Sequence, residues 1–315
     1  MITAIRFKGV GISALGSLLT GGTSAFARNA VGFVHSIERR LQSKGMTLGN
    51  NRRVAIGVEN YLLHQGSKNY SAAKMALSRP WKNQGNYAGS VLDYEWKCNA
   101  VITLLILSDG VIDTDSLQNS LRSIVLGMRF ANGSIFIIND EQSFINIVGG
   151  NDEDSLKSAI KSVKASQSYF LANREDLVTQ GNEFDSFADA LGLFDMNAKA
   201  EEDKSLDDET ISDVANEGVE QIGDIDKPRK SWARSQPGWI VPIERGYLAA
   251  TKPVKGRPGI RDASVDSYIV TPVISLGEYM SAKRIADDLD AQIFWSAKSD
   301  FSVGSFLFNS SSFNQ

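Results

Sequence analysis

The chain of 315 residues holds one cysteine and two histidines. A single thiol excludes an internal disulfide and a cysteine-ligated zinc. Cys98 itself lies in an alternating run, Tyr94, Trp96, Cys98, Ala100, which is a strand position rather than a reactive one. His35 and His64 stand at no metal-ligand spacing, so a metal site of the HExxH type is not expected. The sequence also lacks a GxSxG elbow and a GxxxxGK[ST] phosphate loop, and the Gly21-Gly22 pair marks a turn more readily than a nucleotide site. No cofactor is called for. No stretch approaches the roughly 18 continuous apolar residues of a membrane span. The apolar run from Val10 to Leu19 is broken by glycine and no small-residue cleavage site follows it. Neither a membrane segment nor a signal peptide is expected, which fits a cytoplasmic protein.

What is present is a globular composition, 42% hydrophobic against 22% charged, enough to bury a full core. The formal charge of -4 conceals a strong segregation. Asp195 to Asp226 carries 12 acidic and 2 basic residues, which leaves +6 on the remainder. Residues 1–85 carry a net +10 and residues 227–261 a net +8. Clustered cations of this kind suit a nucleic-acid backbone, although a solvated basic face has the same signature.

Periodicity orders the elements. Thr3 to Gly9 alternates as a half-buried strand. From Asn29 to Lys44, Ala30, Val34, Ile37 and Leu41 recur at helical spacing; Asn29 is placed as the cap, Gly45 as the stop, and His35, Arg39 and Gln42 as an outward polar stripe. Arg53 to Leu63 and Tyr94 to Leu107 read as strands, the second a central one. Between them Lys68, Lys74, Arg79 and Lys82 alternate with Tyr70, Trp81 and Tyr87; Trp81 and Tyr70 could stack on bases, although an aromatic in a half-polar segment more often closes over a core edge. A helix over Asp113 to Met128 and a strand over Gly133 to Asn139 follow. The order strand, helix, strand, strand, helix, strand predicts an α+β fold with an RRM-like, ferredoxin-like core carrying long insertions. Short helices are placed around Glu153 to Lys164 and Phe184 to Leu191, then an acidic linker, then strands at Trp239 to Ala250, Tyr268 to Tyr279, Ile293 to Trp295 and Ser305 to Phe308. The expected division is residues 1–165 as the RNA-binding core, 166–227 as a helical and acidic insertion, and 228–315 as a strand-rich part completing the fold.

Lys252-Pro253-Val254-Lys255-Gly256-Arg257-Pro258-Gly259-Ile260-Arg261 sets four cations among prolines and glycines, as an exposed loop between strands would. Its arginines can take phosphates bidentately.

Ordered blocks carry a resemblance. Gly32-Phe33-Val34-His35-Ser36-Ile37-Glu38-Arg39-Arg40-Leu41 resembles the Gly-Phe-Val-His-Ala-Leu helix and following basic residues of the second Csy protein of type I-F CRISPR complexes. Gly127-Met128-Arg129-Phe130-Ala131-Asn132-Gly133-Ser134-Ile135 is similar to that family's Met-Arg-x-Ala-Gly-Gly-Ser-Ile. Pro237-Gly238-Trp239-Ile240-Val241-Pro242-Ile243, Gly246-Tyr247, Arg261-Asp262 and Leu276-Gly277-Glu278-Tyr279 resemble its later segments in the same order. The resemblance implies a RAMP-superfamily subunit without a catalytic site that holds the guide RNA (crRNA), caps its 5′ handle, joins the other Cascade subunits, and meets target DNA through the assembled complex. With the basic clusters it points to RNA contacts at Arg28, His35, Arg39, Arg40, Lys68, Arg79, Arg129, Lys252, Lys255, Arg257 and Arg261.

The family's Ser-Pro-Leu-Thr-Trp-Gly-Phe-Pro segment is replaced here by Ser17-Leu18-Leu19-Thr20-Gly21-Gly22-Thr23-Ser24. This leaves open a repeating backbone subunit of a minimal variant complex. A RAMP-type endoribonuclease using His35 is the rival from another class.

Overall fold

The computed structural model describes residues 1–13, 26–63, 75–77, 82–83, 86–87, 94–109, 114–138, 143–150, 152–179, 196–199, 231–234, 238–256, 262 and 264–314. They divide into two compact units, Met1–Asn182 with Gly238–Gln315, and Glu183–Pro237.

The first unit is built on β1 (Ile2–Ser13), α1 (Phe26–Gln42), β2 (Asn50–Leu63), β3 (Met75–Leu77), β4 (Lys82–Asn83), β5 (Asn86–Tyr87), β6 (Tyr94–Asp109) and α2 (Thr114–Leu126). A hairpin, β7 (Arg129–Phe130) and β8 (Gly133–Phe136), leads to β9 (Ile145–Val148), α3 (Glu153–Ser162), β10 (Tyr169–Asn173) and α4 (Asp176–Thr179). In the second unit β11 (Met196–Lys199) and β12 (Ser231–Arg234) pair antiparallel. The first unit resumes with β13 (Ile240–Ala249), β14 (Val270–Ser281), α5 (Ala282–Asp287), β15 (Phe294–Asp300) and β16 (Ser305–Ser311).

The result is a mixed α+β protein dominated by one 12-stranded antiparallel sheet, ordered β10-β14-β13-β16-β15-β2-β6-β1-β8-β7, with β9 also on β1 and β3 on β6. Both β15 and β10 pair with β2, at Val54 and at Gly57 and Val58, so the path of strands returns on itself there.

Strand alternation gives this sheet two buried faces. Ile5, Phe7, Val54, Ile56, Ile102, Leu104 and Ile106 point toward α1 and α2 and join one core. Phe7, Phe33 of α1 and Phe130 meet there at centroid distances of 6.0, 5.5 and 5.4 Å, edge-on or tilted as aromatic quadrupoles prefer. Ile2, Ala4, Ala55, Leu105 and Leu107 point the other way, into a second core under α3 and α5. α3 is capped by Asp152, whose carboxylate accepts the amide of Ser155 at 2.8 Å; the Ser155 side chain first and its backbone second hold the Asp152 pKa below the usual carboxylate range.

Several expected boundaries shift. α1 begins at Phe26 rather than at an Asn29 cap, because fully buried Phe26 and Ala27 extend its apolar stripe back by a turn. The strand placed over Gly133 to Asn139 ends at Phe136. The strand at Ile293 to Trp295 starts at Phe294 and runs to Asp300, where backbone pairing to β16 carries exposed polar residues that no alternation announces. The helix placed at Phe184 to Leu191, the loop of Thr20 to Ser24, and Tyr70 and Trp81 lie outside the described residues, as does most of the acidic stretch.

Candidate nucleic-acid interface

The second sheet face is covered over only part of its length. At the covered end Phe170 lies where a side chain on Gly57 would have to stand, and the Thr103 and Ser168 hydroxyls bond at 3.0 Å. Arg6 and Glu59 form a buried ion pair on this face. Beyond them, in strand register, the cover stops among the described residues.

There Lys8 and Val10 of β1, Asn99 and Val101 of β6, Asn60 and Leu62 of β2, and Phe136 of β8 line a concavity of about 630 Å³. Phe136 is 51% and Leu62 63% exposed, unusual for apolar side chains on a sheet. Two β-bulges shape this end. β1 gains a residue between Gly9 and Ile12, and β2 between Glu59 and Leu62, both opposite the same short stretch of β6. Asn60 takes the left-handed conformation at φ 49°, and the Asn99 amide oxygen accepts the Gly11 N–H at 3.1 Å. Bulges re-aim side chains, and these turn an amide and two apolar side chains onto the open face. The arrangement offers a cation, two amides and an aromatic plane, which can bind a polyanion and stack on a base.

The residues picked out from the sequence are distributed elsewhere. His35, Arg39 and Arg40 are exposed on the outer side of α1, which covers the opposite face of the sheet. Arg129 is exposed on β7 beside buried Phe130. Arg28 donates to Glu244 at 2.7 Å and to the Tyr247 hydroxyl, and its guanidinium lies 5.7 Å from the Tyr247 ring centroid, so it ties α1 to β13. Burial raises the Glu244 pKa, an effect that Arg28 opposes. Lys252 and Lys255 are exposed between β13 and β14. Lys68, Arg79, Arg257 and Arg261 lie outside the described residues. The structure therefore brings none of the described ones to the open sheet face. Lys8, Asn60, Asn99 and Phe136 escaped the sequence reading because alternation gives a strand two faces but not the extent of the cover over each.

The motif blocks meet one another instead. Phe33 of the first touches Phe130 of the second, and the backbone N–H of Tyr279 donates to the Trp239 carbonyl at 2.9 Å. Buried Glu278 accepts from Arg174 and Arg284. A Cβ on Gly277 would lie 2.8 Å from Ile243 Cγ2 and 3.1 Å from the Ala172 carbonyl, so glycine there eases the close packing of β14 against β13 and β10. Among the described residues no group of three or more His, Cys, Asp or Glu could hold a metal ion, and no helix is long and apolar enough to cross a membrane.

These features define a class, a mixed α+β protein whose large antiparallel sheet leaves part of one face open. Over residues 6–308 the chain matches the model of the CRISPR-associated protein family Cas_Csy2, and it belongs to that family, the Csy2 subunit of type I-F CRISPR systems. Membership makes it a component of a multi-subunit CRISPR complex. A search of curated proteins returns no match.

Proposed function

We propose that the chain is a non-catalytic, guide-RNA-binding subunit of a cytoplasmic type I-F surveillance complex that caps the 5′ handle of the crRNA, with an RRM-like core as its platform. The observation that carries this reading is the open end of the sheet face, where Lys8, Asn99 and Phe136 offer charge, hydrogen bonding and a stacking plane together. The strand order β2-β6-β1-β8, with α1 and α2 on one face, supports the platform, since a split βαβ unit orders its strands in this way. The exposed cations of α1, β7 and the β13–β14 loop add phosphate contacts around the rim. Target DNA is met through the assembled complex, and other Cascade subunits dock on the same chain.

Incubation of the purified protein with labelled repeat RNA tests both halves of the proposal. Retention without cleavage is expected, with Lys8→Ala lowering the salt slope of binding by about 0.7 and Phe136→Ala weakening binding roughly 10-fold at an unchanged slope. Cleavage abolished by His35→Ala would overturn the non-catalytic reading.

A further inference from the structure

The open sheet face does not end at Asn60. The same residue lines a second concavity of about 560 Å³, walled by Tyr61, Tyr169, Trp239 and Tyr279. Trp239 stands at the centre of the aromatics, 5.8 Å from Tyr169 and 5.2 Å from Tyr279 between ring centroids, and both Trp239 and Tyr169 are exposed. Ser166, Gln167 and Ser281 supply neutral hydroxyl and amide groups at the wall. Ser166 in turn lines a third concavity, of about 460 Å³, bordered by the exposed lysines Lys157, Lys161 and Lys164 and by Lys283 of α5. Three hollows thus share their boundary residues: the sheet face, the aromatic pocket and a lysine groove.

Charge decides what the aromatic pocket takes. Its one carboxylate, Glu59, is only 4% exposed at the side chain and is already neutralised by Arg6. Ring faces alone can hold a cation, but the exposed lysines that border the adjoining groove disfavour a cationic side chain here and favour a polyanion. A neutral flat group that stacks on indole and phenol faces and exchanges hydrogen bonds with amides and hydroxyls fits it, and a nucleobase is such a group. The lysine groove beyond has the sign that the neighbouring phosphates require. Lys157 is engaged by Glu153, and Lys161 of α3 and Lys283 of α5 stand exposed across the groove from one another's element.

The geometry points to a single-stranded track in which the guide RNA crosses the open sheet face, turns one base into the pocket of Tyr169, Trp239 and Tyr279, and runs its next phosphates over the lysines of α3 and α5. This deepens the guide-binding reading and rests on it. The groove lysines, Tyr169 and Tyr279 lie outside the basic segments 1–85 and 227–261, and Trp239, inside the second, is not among the RNA contacts expected from the sequence.

A short single-stranded RNA carrying one 2-aminopurine, moved position by position, tests the track on the full chain. Quenching is expected at one position, and Trp239→Ala and Tyr169→Ala each remove it. Trp239→Ala lowers affinity roughly 10-fold with the salt slope unchanged, because no phosphate contact is lost, whereas Lys161→Ala lowers the slope by about 0.7. An abasic site at the quenched position weakens the wild type and has no further effect in Trp239→Ala, a coupling that a general loss of fold would not produce. RNA bound by the wild type with no quenching at any position overturns the track and leaves the guide-binding reading standing. No binding of any RNA overturns both. Unaltered RNA affinity in Trp239→Ala with lost capture of the other complex subunits makes the pocket a protein-docking site and overturns the track alone.

Discussion

Cys98 shows how far a single residue is legible. The run Tyr94, Trp96, Cys98, Ala100 gives it a strand position, and the structure puts it fully buried on β6 with its thiol 3.6 Å from the Ile12 carbonyl. Burial pushes the thiol up to about 12 from an ordinary value of 9.0, so the nucleophilic thiolate is scarce at neutral pH. Ellman's reagent at pH 8 therefore leaves the native protein unlabelled and labels one thiol per chain after denaturation. The linkage has a definite sign. The unfolded chain loses this proton first, so the native state holds more protons and stability falls as pH rises from about 9 toward 12. Cys98→Ala removes that titration, and its urea midpoint falls less than that of the wild type across the same range. Native labelling at the wild-type position would contradict the burial. Arg28 is the opposite case, because nothing in its local sequence announces Glu244 and Tyr247, more than 200 positions away.

At the scale of elements, long periodic segments were legible and short ones were not. α1, α2, β1, β2 and β6 each repeat their buried positions often enough to declare a period, and they lie within a few residues of their expected places. β9 and β10 did not declare themselves, being four and five residues long and defined by partners distant in sequence, β1 for one and β14 for the other. The candidate interface was illegible for a related reason: two one-residue bulges and the limit of the cover over β1 and β6 create it, and neither has a local signature. The motif blocks, by contrast, mark structural requirements. Gly246 sits in the β13 bulge at φ 132°, and a Cβ there would fall on the Phe306 carbonyl of β16. Gly246→Ala meets rigid backbone as well as an unfavourable φ, so a loss of about 2–3 kcal/mol is expected in urea denaturation. Gly32→Ala, with open space around its Cβ on the exposed face of α1, is the control and is expected to stabilise slightly through helix propensity. Equal midpoints for Gly246→Ala and the wild type would remove the bulge from the account of that block.

At the scale of the whole molecule, the proposed guide-binding role is defined by the position it takes along the guide. The carboxyl-terminal blocks follow the Csy2 family, yet the structure gives them work in folding: Gly277 and Gly246 permit close strand packing, and Glu278 joins Arg174 to Arg284. A cap and a repeating backbone subunit would both need that framework, so those blocks identify the family more than the position. The segment that departs from the family, Ser17 to Ser24, begins four residues after the end of β1 in the sequence, and β1 contributes Lys8 and Val10 to the open face. A capping subunit uses one surface toward its neighbours. A backbone subunit needs two complementary head-to-tail surfaces and builds an open filament whose length follows the RNA. Native mass measurement of the reconstituted complex with guides of increasing spacer length separates the two. One copy of this chain per guide is expected at every length, as a cap at the 5′ handle requires. A copy number that climbs with guide length would defeat the cap and make this chain the repeating subunit, with the sheet face and its aromatic pocket then recurring along the spacer.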